Sequence, residues 1–197
     1  MNRKELKERG KKLYNLDYWQ FVLVYVVFSS IMSFASSSYG VPLLIIGGPL
    51  TVGFIMFNLN FIRNGNGTFV NLFEGFKKFS DYFLAYLLKT GLILLWTLLF
   101  IVPGIIKSLA YSQALYIMYD NPGITPKEAL DKSEKMMYGH KMELFILMLS
   151  FIGWHILGIL TFGILEVFYV GPYYNATLAL YYEDLKNNEI NENTVIE

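Results

Sequence analysis

Six apolar stretches separated by polar and turn-forming residues dominate the chain, at approximately 19–36, 41–62, 82–102, 104–119, 143–162 and 164–182. A helix rises 1.5 Å per residue and a bilayer core is about 30 Å thick, so about 20 apolar residues make one crossing. The pattern predicts six transmembrane helices, several of them short enough to need a thin or locally deformed bilayer. The fourth is the weakest, because it holds Lys107, Ser108, Ser112 and Gln113 and follows the third with only Pro103-Gly104 between. That pair reads as a tight hairpin or a partly re-entrant element.

The polar connections predict a second set of helices. From Phe69 to Phe83, Phe69, Leu72, Phe73, Phe76, Phe79 and Phe83 share one helical face, and Glu74, Lys77, Lys78 and Asp81 take the other. Such a helix suits the headgroup plane. From Thr125 to Met137 the apolar side is Ala129, Leu130, Ser133, Met136 and Met137, and Thr125-Pro126-Lys127-Glu128 has the form of a capping box with proline at N1. The first connection, Arg3 to Trp19, is more basic, with Tyr14, Tyr18 and Trp19 as an aromatic belt. Together these predict an all-α bundle of three hairpin repeats, at about 3–63, 64–120 and 121–186, with a polar tail over 187–197. In each unit the chain crosses, turns at Gly or Pro, and returns on a helix ending in a charged or amide residue: FIRN, YDN and YEDLKN.

Charge sets the expected orientation. Of the 16 Lys and Arg residues, all but Lys89 and Lys107 lie in the N-terminal arm, between windows two and three, between four and five, or in the tail. The intervening turns near 36–40, 103–104 and 162–163 carry none. Cationic residues stay on the cytoplasmic side during insertion, so both termini are expected inside a bacterial cytoplasmic membrane. Ser33-Phe34-Ala35 loosely fits a signal cleavage site, but Glu5, Glu8 and Asp17 interrupt the basic region before it, and an uncleaved first helix is expected.

Composition agrees: 54% hydrophobic, 17% aromatic and 16% charged is too apolar for a soluble domain of this length. The net charge of zero argues against a nucleic-acid partner, while the sidedness of the cations favours anionic lipid headgroups. The absence of cysteine excludes disulfides, thiolate metal sites and sulfur redox chemistry. No HExxH, P-loop, GxSxG or dinucleotide fingerprint is present. No cofactor and no enzymatic activity are therefore expected. Partners are expected to be membrane lipids, another membrane protein or further copies of the chain.

Charges within a bilayer are the first functional candidates because they are costly there. Lys89 is expected to snorkel to the inner headgroups. Lys107 and Glu166 each follow an outer turn by a few residues and are expected to pair with each other; an anionic headgroup is the alternative partner for Lys107. Asn58, Asn60, Ser108, Ser112, Gln113, Asn175 and Thr177 concentrate on the returning windows two, four and six, which predicts an inner layer joined by interhelical hydrogen bonds. The minority reading makes them a polar path, as in a small transporter or exporter component. No carboxylate accompanies His155 within its own span, so a buried hydrogen-bonding role is expected for it.

The run from Phe100 to Ile164, with GGPLTVGF before it and GPYYNATLALYYEDL after it, closely resembles an uncharacterised family of bacterial integral membrane proteins labelled domain of unknown function 975. The resemblance extends over nearly the whole chain. That family is distantly similar to the membrane domain beside the catalytic barrel of some glycerophosphodiester phosphodiesterases. Nothing here corresponds to the barrel, so the resemblance implies a membrane module without that activity. Glu166 stands where the family pattern implies an apolar residue.

Overall fold

A computed structural model describes residues 3–37 and 41–196, and the side chains of these up to Ile190. Part of the predicted 36–40 turn thus lies outside the described residues. Every regular element among them is helical: α1 (Arg3–Leu16), α2 (Tyr18–Ser37), α3 (Val41–Asn64), α4 (Asn71–Glu74), a 3-10 turn (Gly75–Lys78), α5 (Phe79–Leu99), α6 (Ile101–Ala110), α7 (Ala114–Asp120), α8 (Pro126–Met136), α9 (Lys141–Leu149), α10 (Ile152–Leu160), a π turn (Glu166–Val170) and α11 (Gly171–Ile196).

Five stretches among the described residues are long and apolar enough to cross a membrane: Tyr18–Ser37, Val41–Asn64, Asn71–Leu99, Ile101–Asp120 and Lys141–Leu160. The sixth predicted window is not among those five, although it is helical throughout: residues 164–165 lead into the π turn, and α11 follows directly from Gly171 beside Pro172 and runs on through the polar residues Glu183, Asp184 and Lys186 to Ile196.

Two of the five carry a break caused by a hydroxyl. The Ser112 Oγ donates to the Leu109 carbonyl at 2.8 Å between α6 and α7, and the Ser150 Oγ donates to the Leu147 carbonyl at 2.6 Å between α9 and α10. Each side chain competes with the backbone ladder and loosens the turn. At the tip after α10, the Thr161 hydroxyl donates to Leu157 and Gly158 carbonyls and accepts from the Leu165 N–H, while Gly163 supplies a φ of 84°. Glycine takes that left-handed conformation without Cβ strain.

The expected surface helices are instead partly or wholly docked on the bundle. Leu6, Leu13 and Tyr14 bury α1 along α11, the Tyr14 hydroxyl donates to the Phe168 carbonyl at 2.5 Å, and Arg9 grips Asp184 through two hydrogen bonds of 2.7 and 2.9 Å. Lys7 donates to the Ser150 carbonyl at 3.2 Å and sits 4.3 Å from the Phe151 ring centroid; burial pushes its ammonium below the ordinary lysine value. Trp19 remains exposed, as an aromatic belt requires.

In α8 the predicted capping box is present, with Thr125 Oγ1 accepting from the Glu128 N–H at 3.3 Å and Glu128 accepting from the Thr125 N–H at 2.9 Å. Its apolar side does not lie on headgroups, because Ala129, Leu130 and Ser133 are fully covered by neighbouring helices. The Phe69–Phe83 stretch divides into α4, the 3-10 turn and the start of α5. There Leu72 is buried, while Phe69, Phe73, Phe76 and Phe79 keep 37–44% of their surface exposed. Gly53 of α3 faces the Leu72 carbonyl and Gly75 faces the Pro49 carbonyl, both closer than any Cβ permits. Backbone meets backbone there, which only glycine allows.

Two large side-chain clusters and a smaller third, of Ala110, Tyr111, Ala114 and Leu130, form the interior. Tyr14, Phe21, Phe57 and Phe61 join α1, α2 and α3, with Phe21 and Phe57 ring centroids 5.0 Å apart and nearly perpendicular. Val52, Leu59, Ile117, Ala129, Ala179 and Tyr182 join α3, α7, α8 and α11. Helices from all three predicted repeat units thus share one interior.

Candidate functional site

The ends of the returning helices meet in a charged network. Arg63 at the end of α3 donates twice to Asp120 at the end of α7, at 2.7 Å each, and reaches Glu183 of α11 at 2.6 Å. Asp120 also accepts from Lys186 at 2.6 Å and from the Tyr182 hydroxyl at 2.8 Å, and its side chain is 6% exposed. Nearby, the Tyr119 hydroxyl donates to Asn60 at 3.1 Å. Two cations face two carboxylates, so the network is formally neutral. Its chemistry is closure, since every charge has a partner.

Lys107 and Glu166, expected to pair, do not meet. Lys107 instead donates to Glu134 of α8 at 2.7 Å and lies 5.3 and 5.7 Å from the ring centroids of Tyr111 and Trp96. Glu166 lies 3.0 Å from the Nδ1 of His155, across the hairpin turn. Equal depth did not pair them because α6 ends at Ala110 and α8 folds back against it, bringing a carboxylate to Lys107 from a segment predicted to stay at the surface. His155 was missed as a partner because its carboxylate comes from the next element rather than its own span. The signal available was that the two residues flank one Gly-containing turn. Reversing Lys107 to Glu and Glu134 to Lys should each destabilise the protein by about 1 kcal/mol, since both side chains are partly exposed. The double swap should recover most of that loss in a double-mutant cycle, whereas Lys107→Glu with Glu166→Lys should recover none.

The expected interhelical amide bonds are mostly bonds within one helix. Asn58 donates to the Phe54 carbonyl, Asn175 to the Gly171 carbonyl and Thr177 to the Tyr173 carbonyl, each at 2.8 Å and four residues back. Ser108 bonds Ile105 in the same way, three residues back. Gln113 donates from Nε2 to the Ser112 Oγ at 2.9 Å, and its backbone N–H donates to Ser133 of α8 at 3.1 Å. Ser133 in turn donates to the Ala110 carbonyl at 2.7 Å, an interhelical link through a serine that the apolar pattern had counted only as a face position. Asn58 Oδ1 and Gln113 Oε1 are buried without a hydrogen-bond partner. Lys89 is half-buried and makes no ion pair among the described residues.

An open groove lies at one side of the bundle, between α6 and α9–α10. A cavity of about 460 Å³ separates Val102, Ile105 and Ile106 from Lys141, Met142 and Phe145. A second, of about 380 Å³, shares Ile105 and Phe145 with it and runs past Met148 and Ile152 to His155 and Tyr174. A third, of about 460 Å³, lies beyond His155 against Gly158, Phe162 and Glu166. The interior shared by α3, α7 and α11 is filled by contrast, with Asn58, Gln113 and Thr177 at most 3% exposed. Among the described residues no group of three His, Asp or Glu side chains is placed to hold a metal.

These features define the class of polytopic α-helical membrane protein, with a packed interior and an apolar lateral groove. Residues 101–189 match the model of a family described as "Protein of unknown function (DUF975)", which supports that family label. No curated protein and no solved structure matches the chain.

Proposed function

We propose that this protein is a non-enzymatic, multi-pass module of a bacterial cytoplasmic membrane that interacts with lipid, with both termini in the cytoplasm. One observation carries the reading: an apolar groove opens at the flank, while the centre between the returning helices is filled by side chains. A transport path would need polar groups facing a shared cavity, and the amides and hydroxyls are instead bonded largely within their own helices. The Lys and Arg distribution supports the orientation.

Native mass spectrometry of the protein released from membranes tests the role. The expected result is a chain that retains phospholipid; a chain stripped of lipid under conditions that keep it folded would sink the proposal. Orientation is tested by single cysteines in this cysteine-free chain. An impermeant maleimide applied to whole cells should label Ser37→Cys and leave Asn187→Cys untouched, both positions being exposed. Labelling at 187 in intact cells would overturn the assignment.

A further inference from the structure

We infer that the groove between α6 and α9 is a site for one anionic phospholipid, its acyl chain lying against Ile105, Leu109 and Phe145 and its phosphate held at Lys141. The inference rests on the lipid-interacting reading above and adds the headgroup class and the place.

Three observations carry it. The first is dimension: Lys141 and Leu149 stand eight residues apart along the unbroken α9, about 12 Å at 1.5 Å per residue, most of the ~15 Å of one bilayer leaflet. The two joined cavities of about 460 and 380 Å³ lie within the usual range for small-ligand sites. The second is chemistry: Lys141 is the one charged residue lining those two cavities, and the rest of the wall is apolar apart from Ser108, His155 and Tyr174 towards the far end. A single hydrocarbon chain with one charged end matches that distribution, whereas a second copy of this chain would have to bring its own anion to Lys141.

The third is charge balance. Lys141 makes no ion pair among the described residues, although the other cations near α6 and α9 are engaged: Lys107 with Glu134, and Lys7 with Ser150 and the Phe151 ring. Glu143 does not serve Lys141, because it turns to the opposite side of α9, towards Arg3 and Leu6, and lies 3.0 Å from His140 Nδ1. No side-chain hydrogen bond caps the N-terminus of α9, which begins at Lys141. A lysine at the start of a helix and at the end of an apolar slot suits a phosphate monoanion.

The test titrates detergent-solubilised protein with phosphatidylglycerol and phosphatidylcholine of identical acyl chains and reads bound lipid by native mass spectrometry. Wild type should hold phosphatidylglycerol in preference. Lys141→Gln should weaken phosphatidylglycerol about fivefold and leave phosphatidylcholine unchanged, the loss expected for one lysine near an anionic headgroup. Ile105→Trp, at a position 44% exposed and therefore tolerant of size, should block the slot and weaken both lipids. Thermal unfolding of each variant shows that it is folded. Equal retention of the two lipids by wild type, or an unchanged Lys141→Gln, would overturn the headgroup assignment while leaving the lipid-interacting role standing. A dimer that Ile105→Trp dissociates would show that a second copy fills the groove, and the inference would fall. Retention of no lipid at all would remove the role itself.

Discussion

Asp120→Ala should lower the stability of the protein by about 3 kcal/mol, because it leaves two cations at a nearly buried position without the carboxylate that balances them. Asp120 accepts four hydrogen bonds, two from Arg63, one from Tyr182 and one from Lys186. Removing it leaves Arg63 with Glu183 alone. For a chain of this length that loss corresponds to a fall in Tm of about 10 °C, measured by thermal unfolding in detergent. Lys186→Gln should cost far less, since Lys186 is 35% exposed on its side chain and solvent screens its charge. The combined change Arg63→Met with Asp120→Leu should be milder than Asp120→Ala alone, because it removes one charge of each sign and leaves Glu183 and Lys186 of opposite sign rather than an excess of cations. If Asp120→Ala unfolds within 2 °C of wild type, the network does not close the bundle.

The second large effect is expected at Gly53. Any side chain there meets the carbonyl of Leu72, a backbone atom that cannot rotate away, so Gly53→Leu must push α4 off α3. Facing it, Gly75 is equally tight against the Pro49 carbonyl, and the two contacts flank the same seam. The expected outcome for Gly53→Leu is loss of folded protein or a destabilisation of at least about 3 kcal/mol, the upper range for overpacking. Gly91→Leu is the control, since a Cβ at Gly91 meets nothing within 4 Å and the added leucine would join the exposed apolar surface of α5. Equal behaviour of the two variants in size-exclusion profile and Tm would refute the seam.

Particular residues show which features the sequence carried and which it did not. Hydropathy alone located five helices of crossing length, because a segment that must satisfy its backbone in lipid has few alternatives to a helix. The α8 cap was equally legible, since Thr125, Pro126 and Glu128 interact over four residues of chain. The sequence also marked the charged ends of the returning helices; Arg63, Asp120 and Glu183 were visible as a pattern before they were known to touch.

Tertiary structure alone decided the partners. Lys107 and Glu134 stand 27 residues apart, and Arg63 and Asp120 stand 57 apart, so no local periodicity links them. Equal offset from a turn measures depth along an ideal straight helix but not which neighbour lies beside it: α8 brings Glu134 to Lys107, and His155 meets Glu166 across their own turn. The breaks at Ser112 and Ser150 separate α6 from α7 and α9 from α10, and the groove lies between α6 and α9–α10. Amphipathic spacing, likewise, identifies which side of α1 or α8 is apolar but not whether lipid or protein covers it, because both offer the same escape from water. For α8 the answer lay in Ser133 reaching Ala110 and Gln113, a contact specified only once distant segments are packed together.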